Sequence, residues 1–202
     1  MDHKTSILRA VGIITVSGIE RFTTETILKR VMIIGQPGSG KSTFARALGE
    51  RTGLPVVHID QIHWKEGWVE RDQDEKTKMC LEAHARDEWI FEGGHSITWP
   101  DRLGRCDTLI WLDYPFLNRC WRLIKRTAMD YGRTRLDLPD NCPERIDFDF
   151  YRFVFRTRKS AREKAQHFFD NAALEKERLR LSNDLEVANF LESVEETARA
   201  TR

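Results

Sequence analysis

Cysteine, long apolar runs and charge of one sign are all scarce in this 202-residue sequence, and each scarcity closes off a class of protein. Cys80, Cys106, Cys120 and Cys142 stand far apart, with no C-x-x-C pair and no Cys/His set at zinc-ligand spacing, which argues against a disulfide scaffold or a zinc module. They read as free thiols of a reducing cytoplasm, the expected location. No apolar run approaches the roughly 20 residues needed to cross a bilayer, so no membrane partner is expected. Lys and Arg number 33 against 32 Asp and Glu, a net charge of +1, so no global field draws in nucleic acid, which is not a favoured partner. Any electropositive site has to be local. Internal repeats, low-complexity tracts and a guanine-reading Asn/Thr-Lys-x-Asp segment are missing as well.

Against these absences stands one strong local pattern. Val31 to Ile34 is a β-branched-rich run that ends at Gly35, as a buried parallel strand does before a turn. Lys41 to Arg51 reads as a helix with Phe44, Ala45, Ala47 and Leu48 on one face, stopped by Gly53 and Pro55. Between them lies Gly35-Gln36-Pro37-Gly38-Ser39-Gly40-Lys41-Ser42, a P-loop in its proper strand and helix context. Its glycines let backbone N–H groups approach a polyphosphate, and Lys41 supplies a mobile cation. The Ser42 hydroxyl suits Mg²⁺, and the helix N-terminus adds its dipole. Mg-ATP is the expected ligand, with Thr43 and Arg119 as further candidate contacts.

Further strands are expected at Val56–Ile59, Trp89–Phe91, Leu109–Leu112 and Glu177–Leu181, alternating with helices near 72–86, 116–129, 148–171 and 184–196. Tyr131 to Pro143, rich in Gly, Pro and Asn, should be an irregular connection. Such alternation implies a three-layer α/β/α domain around a parallel sheet, with the loops after the strands gathered on one edge. The domain is expected over 27–202, with a helical lid at about 119–162. Residues 1–26 are expected to form a poorly ordered extension; Ala10 to Val16 is apolar but too short for a signal peptide.

Asp60, Glu92 and Asp113 each follow an apolar strand, so the fold puts three carboxylates beside the P-loop. Asp60 is the candidate base or acceptor-positioning group; Glu92 is the candidate Mg²⁺ partner, and Asp113 its rival. Arg119, Arg122 and Arg126 share one helix face, and Arg152, Arg156, Arg158 and Arg162 sit on the returning helix. Guanidinium groups on both sides of an irregular segment suit a lid closing over phosphates. Trp64, Trp68 and Trp99 fall in loops near the same edge, able to stack on a base, wall an acceptor pocket or pack in the core.

The chain resembles the adenylate-kinase-like P-loop small-molecule kinases, and among them the bacterial topology modulation proteins. The resemblance spans about Arg30 to Leu191 and rests on the P-loop, on Ile59-Asp60-Gln61-Ile62-His63-Trp64 with Gly67-Trp68, on Trp89 to Gly93, on Asp107 to Asp113 and on Trp121 to Arg126. It implies a five-stranded parallel sheet of order 2-3-1-4-5 and phosphoryl transfer from ATP. It also implies roles for Arg122 and Arg126 as a lid pair, and for Arg156 and Arg162 on the helix after the lid. Glu92 stands where nucleotide kinases carry Asp, and Gly94-His95-Ser96 replaces their Phe-Pro-Arg-Thr segment, which turns the expectation from AMP toward another hydroxyl-bearing acceptor. A regulatory or DNA-associated nucleotide-binding protein, and an ATPase without a small-molecule acceptor, stand as alternatives.

Overall fold

The computed structural model describes residues 9–10, 26–173 and 176–200. Its centre is a parallel sheet of β1 (Arg30–Gly35), β2 (Val56–His58), β3 (Trp89–Glu92), β4 (Thr108–Leu112) and β5 (Glu177–Leu181), in spatial order β2-β3-β1-β4-β5. β1 is the middle strand, with Val31 opposite Ile90 on one side and Thr108 on the other. The expected strand order is the observed one.

The layers follow from the two-residue period of a strand. Val31 and Ile33 point to a core shared with Phe44 and Leu48 of α1 (Lys41–Thr52) and with Phe190 and Val194 of α7 (Asp184–Ala200). Met32 and Ile34 point the other way, toward Cys80 and Ala83 of α3 (Gln73–His84) and Ala165 of α6 (Phe148–Asp170). Both faces of the sheet are thus covered, and its central strands β1, β3 and β4 are mostly apolar, whereas the edge strand β5 alternates Arg178 and Arg180 with Leu179 and Leu181. Asp72 caps α3 by accepting the Asp74 amide at 2.8 Å, and Asp147 caps α6 by accepting the Phe150 amide at 2.9 Å.

Three local expectations are corrected. The second strand stops at His58, and Asp60 lies in a short helix, α2 (Ile59–His63), because Ile59 and Ile62, three residues apart, are both buried in the second core. Trp99 is not in a loop: it opens α4 (Trp99–Arg105), with Pro100 in the first turn and its ring 4.8 Å from that of Phe168. The last helix extends to Ala200. The connection from α5 (Phe116–Asp130) to α6 is irregular, with isolated pairings Tyr131–Glu144 and Thr134–Pro143. Within the expected extension, Arg9–Ala10 pairs antiparallel with Thr26–Ile27; the rest of it lies outside the described residues.

Candidate active site

The turn between β1 and α1 is shaped for an anion. Gly38 has φ 79°, and a Cβ there would stand 2.5 Å from the Arg119 carbonyl oxygen and 2.9 Å from Leu123 Cγ. Only glycine lets α5 press so closely on the turn. Lys41 Nζ donates to the Gln36 carbonyl at 3.2 Å, spanning the loop. Desolvation lowers its pKa from the ordinary lysine value, while the charges of Glu92 and Asp60 push it back up. The ammonium therefore sits over a ring of backbone groups at a helix N-terminus, where phosphate oxygens are favoured.

Glu92 closes the other side. Its buried carboxylate accepts the Ser42 hydroxyl at 3.0 Å and meets His58 Nδ1 at 2.9 Å, both on Oε1. A hydroxyl and a carboxylate in contact at the first turn of α1 offer hard oxygen ligands to a divalent cation. Among the described residues no group of three or more His, Cys, Asp or Glu forms a metal cage. Ser42 and Glu92 are therefore the residues that could hold Mg²⁺, which would take its remaining ligands from nucleotide oxygens rather than from protein alone.

Gly93, at φ 102°, brings Asp60 to the same place. A Cβ on Gly93 would lie 2.1 Å from Ile59 Cγ2, so the turn after Glu92 rests directly on α2. Burial, then the Glu92 charge, raise the Asp60 pKa to about 6, with Lys41 and Arg135 pulling it down. Asp60, Lys41, Ser42 and Glu92 line one cavity of about 680 Å³. Asp60 also lines a neighbouring cavity of about 320 Å³ walled by Trp64, Trp68 and Leu138; Arg126, Arg135 and Phe150 border both.

The arginines divide between two places. Arg122 donates to the Ser39 carbonyl at 3.1 Å, lies 3.9 Å over the Tyr114 ring and pairs with Asp184, beside the large cavity. Arg126 is held there by Glu144 at 3.1 Å. Arg119 is buried behind the turn and donates to the Pro37 carbonyl at 3.1 Å, bracing the loop that it was expected to help in binding. Arg162 grips Asp113 at 2.9 and 2.8 Å, and Arg180 pairs with the same carboxylate. The structure thus does not bring Asp113 to Ser42: two guanidinium groups already occupy its oxygens, and it borders a different cavity. Arg156 is exposed on α6 and lines none of these cavities.

Sequence reasoning passed over four residues that shape this site. His58 meets Glu92, and Glu144 holds Arg126 and, at 3.2 Å, Arg135. Arg102 is fully buried, donates to the Gly93 and Gly94 carbonyls at 3.0 and 3.3 Å and lies 3.7 Å over the Phe91 ring. Its Nε reaches His84 Nε2 at 2.9 Å, and burial pushes the His84 pKa down to about 4, so that ring stays a neutral acceptor. No residue pattern marks Arg102, which reads as one basic residue in a polar stretch; His58, the last residue of β2 and two residues before Asp60, was within reach.

A central parallel strand, a glycine turn too tight for side chains, a bridging ammonium and a hydroxyl–carboxylate pair define a P-loop nucleotide-binding domain. The AAA domain family profile matches residues 31–147, more than half of the chain, and the chain belongs to that family. A curated relative, the ATP-dependent protease ATPase subunit HslU of Geobacillus sp. (strain WCH70), is 31% identical over 68 residues, covering 33% of this chain. The chain spans only 15% of that relative's length. Among solved structures it is similar to a sugar kinase from Janibacter sp. HTCC2649 (18% identity, 86% of this chain and 92% of that one, TM-score 0.44). It is also similar to the shikimate kinase of Acinetobacter baumannii (16% identity, 87% and 95%, TM-score 0.47).

Proposed function

We propose that this protein transfers the γ-phosphate of Mg-ATP to a hydroxyl of a small acceptor held between Trp64, Trp68 and Phe150. The observation that carries this reading is the position of Asp60, whose carboxylate borders both the phosphate-turn cavity and the smaller aromatic one. A base that joins a nucleotide cavity to a second small-molecule cavity is what a transferase needs, whereas a hydrolase or a switch has no use for the second space. The raised pKa of about 6 keeps Asp60 ionised at neutral pH yet basic enough to take a hydroxyl proton.

In this scheme Asp60 accepts the proton as the acceptor oxygen bonds to the γ-phosphorus and the bond to the ADP oxygen breaks. Lys41, Arg122 and Arg126 meet the charge on the transferred group. Mg²⁺, when bound, neutralises charge on the phosphate oxygens; Ser42 and Glu92 hold its place. Adenine as the base, the likeness to topology modulation proteins and a reducing cytoplasmic setting, supported by the four free thiols, belong to the same proposal.

A transfer screen from ATP across nucleosides, nucleotides, sugars and hydroxy acids, read by mass spectrometry, tests it. Phosphorylated product should form with one acceptor class, and Asp60→Asn should lower kcat about 10²- to 10⁴-fold with nucleotide affinity nearly unchanged. Acceptor-independent hydrolysis insensitive to that substitution would overturn the scheme.

A further inference from the structure

A cavity of about 740 Å³ lies between α5, α6 and the C-terminal ends of β4 and β5, against Gln36 of the phosphate turn. Tyr114 alone is common to its lining and that of the nucleotide cavity. Five cations face it, Arg119, Arg158, Lys159, Arg162 and Arg180, against the carboxylates of Asp113 and Glu163, leaving three positive charges in excess.

The excess is concentrated on particular groups. Asp113 is spent on Arg162 and Arg180. Arg158 and Lys159 have no carboxylate partner among the described residues; the Arg158 guanidinium lies 4.0 Å over the Phe155 ring and donates to the Phe155 carbonyl. Arg119 is 2% exposed, and its buried Nε has no hydrogen-bond acceptor. A buried guanidinium nitrogen without an acceptor carries a desolvation cost, and Arg119 adds its positive charge to the wall of this cavity. Planar guanidinium forks match the oxygens of a phosphate group.

We propose that this cavity is a second anion site that binds a small phosphate-bearing compound at a place distinct from the nucleotide site. It is wired to the P-loop through two contacts. Gln36 donates its side-chain amide to the Arg158 carbonyl at 2.7 Å while its own carbonyl receives Lys41, and Arg119 donates to the Pro37 carbonyl. Residues that wall the second site therefore hold the loop that forms the first, and occupancy of either site alters affinity at the other by the same factor.

Pyrophosphate titration by calorimetry tests the site in the full chain, without nucleotide, and its outcome does not depend on whether the protein is a kinase. Wild type should bind pyrophosphate at two sites, and Lys41→Ala should lose one and keep the other. Arg158→Glu with Lys159→Glu should weaken the surviving site at least about tenfold. Should the charge reversal unfold the chain, Arg158→Gln with Lys159→Gln should weaken it about fivefold with an unchanged melting curve. Loss of all pyrophosphate binding in Lys41→Ala, or an α6 variant that titrates like wild type, overturns the proposal.

Discussion

Glu92 and Asp113 make a natural pair for comparison. They lie at the C-terminal ends of β3 and β4, the two strands that flank β1, and both side chains are 2% exposed. Their surroundings are opposite. Glu92 meets a hydroxyl and an imidazole, so its negative charge is available to a cation beside the phosphate turn. Asp113 meets two guanidinium groups and is spent on them. A strand end in this fold sets where a carboxylate stands; the partners contributed by other segments set whether it serves chemistry or cohesion.

The contrast can be broken or sharpened by substitution. The largest effect should come on the Glu92 side, from Lys41→Ala, which removes the ammonium facing the phosphates and should lower transfer by about 10³-fold in a kcat measurement. Glu92→Gln should follow at about 10²-fold, with the loss partly recovered at raised magnesium, whereas Asp113→Asn should leave kcat within about twofold. Equal rate losses at Glu92 and Asp113 would erase the distinction.

The third test uses pH. Because the Asp60 pKa is raised to about 6, the rate should fall about tenfold per pH unit below that value as the base takes up a proton. The same shift has a stability consequence of defined sign. Between the ordinary aspartate value and about 6 the folded state binds this proton more tightly than the unfolded chain, so Asp60 favours folding at low pH and that contribution is lost as pH rises through about 6. Asp60→Asn should therefore melt higher than wild type above pH 6 while being far less active, seen by thermal melts across pH. The smallest effect belongs to Asp113→Asn, about 1–2 kcal/mol of stability by denaturant titration, a figure reduced because Arg162 is half exposed.

Much of the fold was legible beforehand for reasons that can be named. Val31 to Ile34 followed by Gly35 and an apolar-faced helix is a contiguous pattern, and the structure returns it almost residue for residue as β1, the turn and α1. Strands of apolar residues alternating with helices pointed to a parallel sheet, and the strand order implied by the family resemblance is the observed one. Errors occurred where segments were short. Asp60 was placed at a strand end, yet the burial of Ile59 and Ile62 against α3 and the sheet turns those residues into a helix. Trp99 looked like a loop aromatic, and its contact with Phe168 of α6 makes it part of the core margin.

The anion-binding turn, the layers and the presence of three acids on one edge are written in stretches of ten residues or fewer, where backbone geometry depends on immediate neighbours. The division of labour among those acids is not. Ser42 and His58 come to Glu92 from 50 and 34 residues away, and Arg162 and Arg180 come to Asp113 from 49 and 67. Electrostatic roles act through space, so they were settled only when packing of α6 against the sheet and pairing of β5 at its edge chose which charges would face each other.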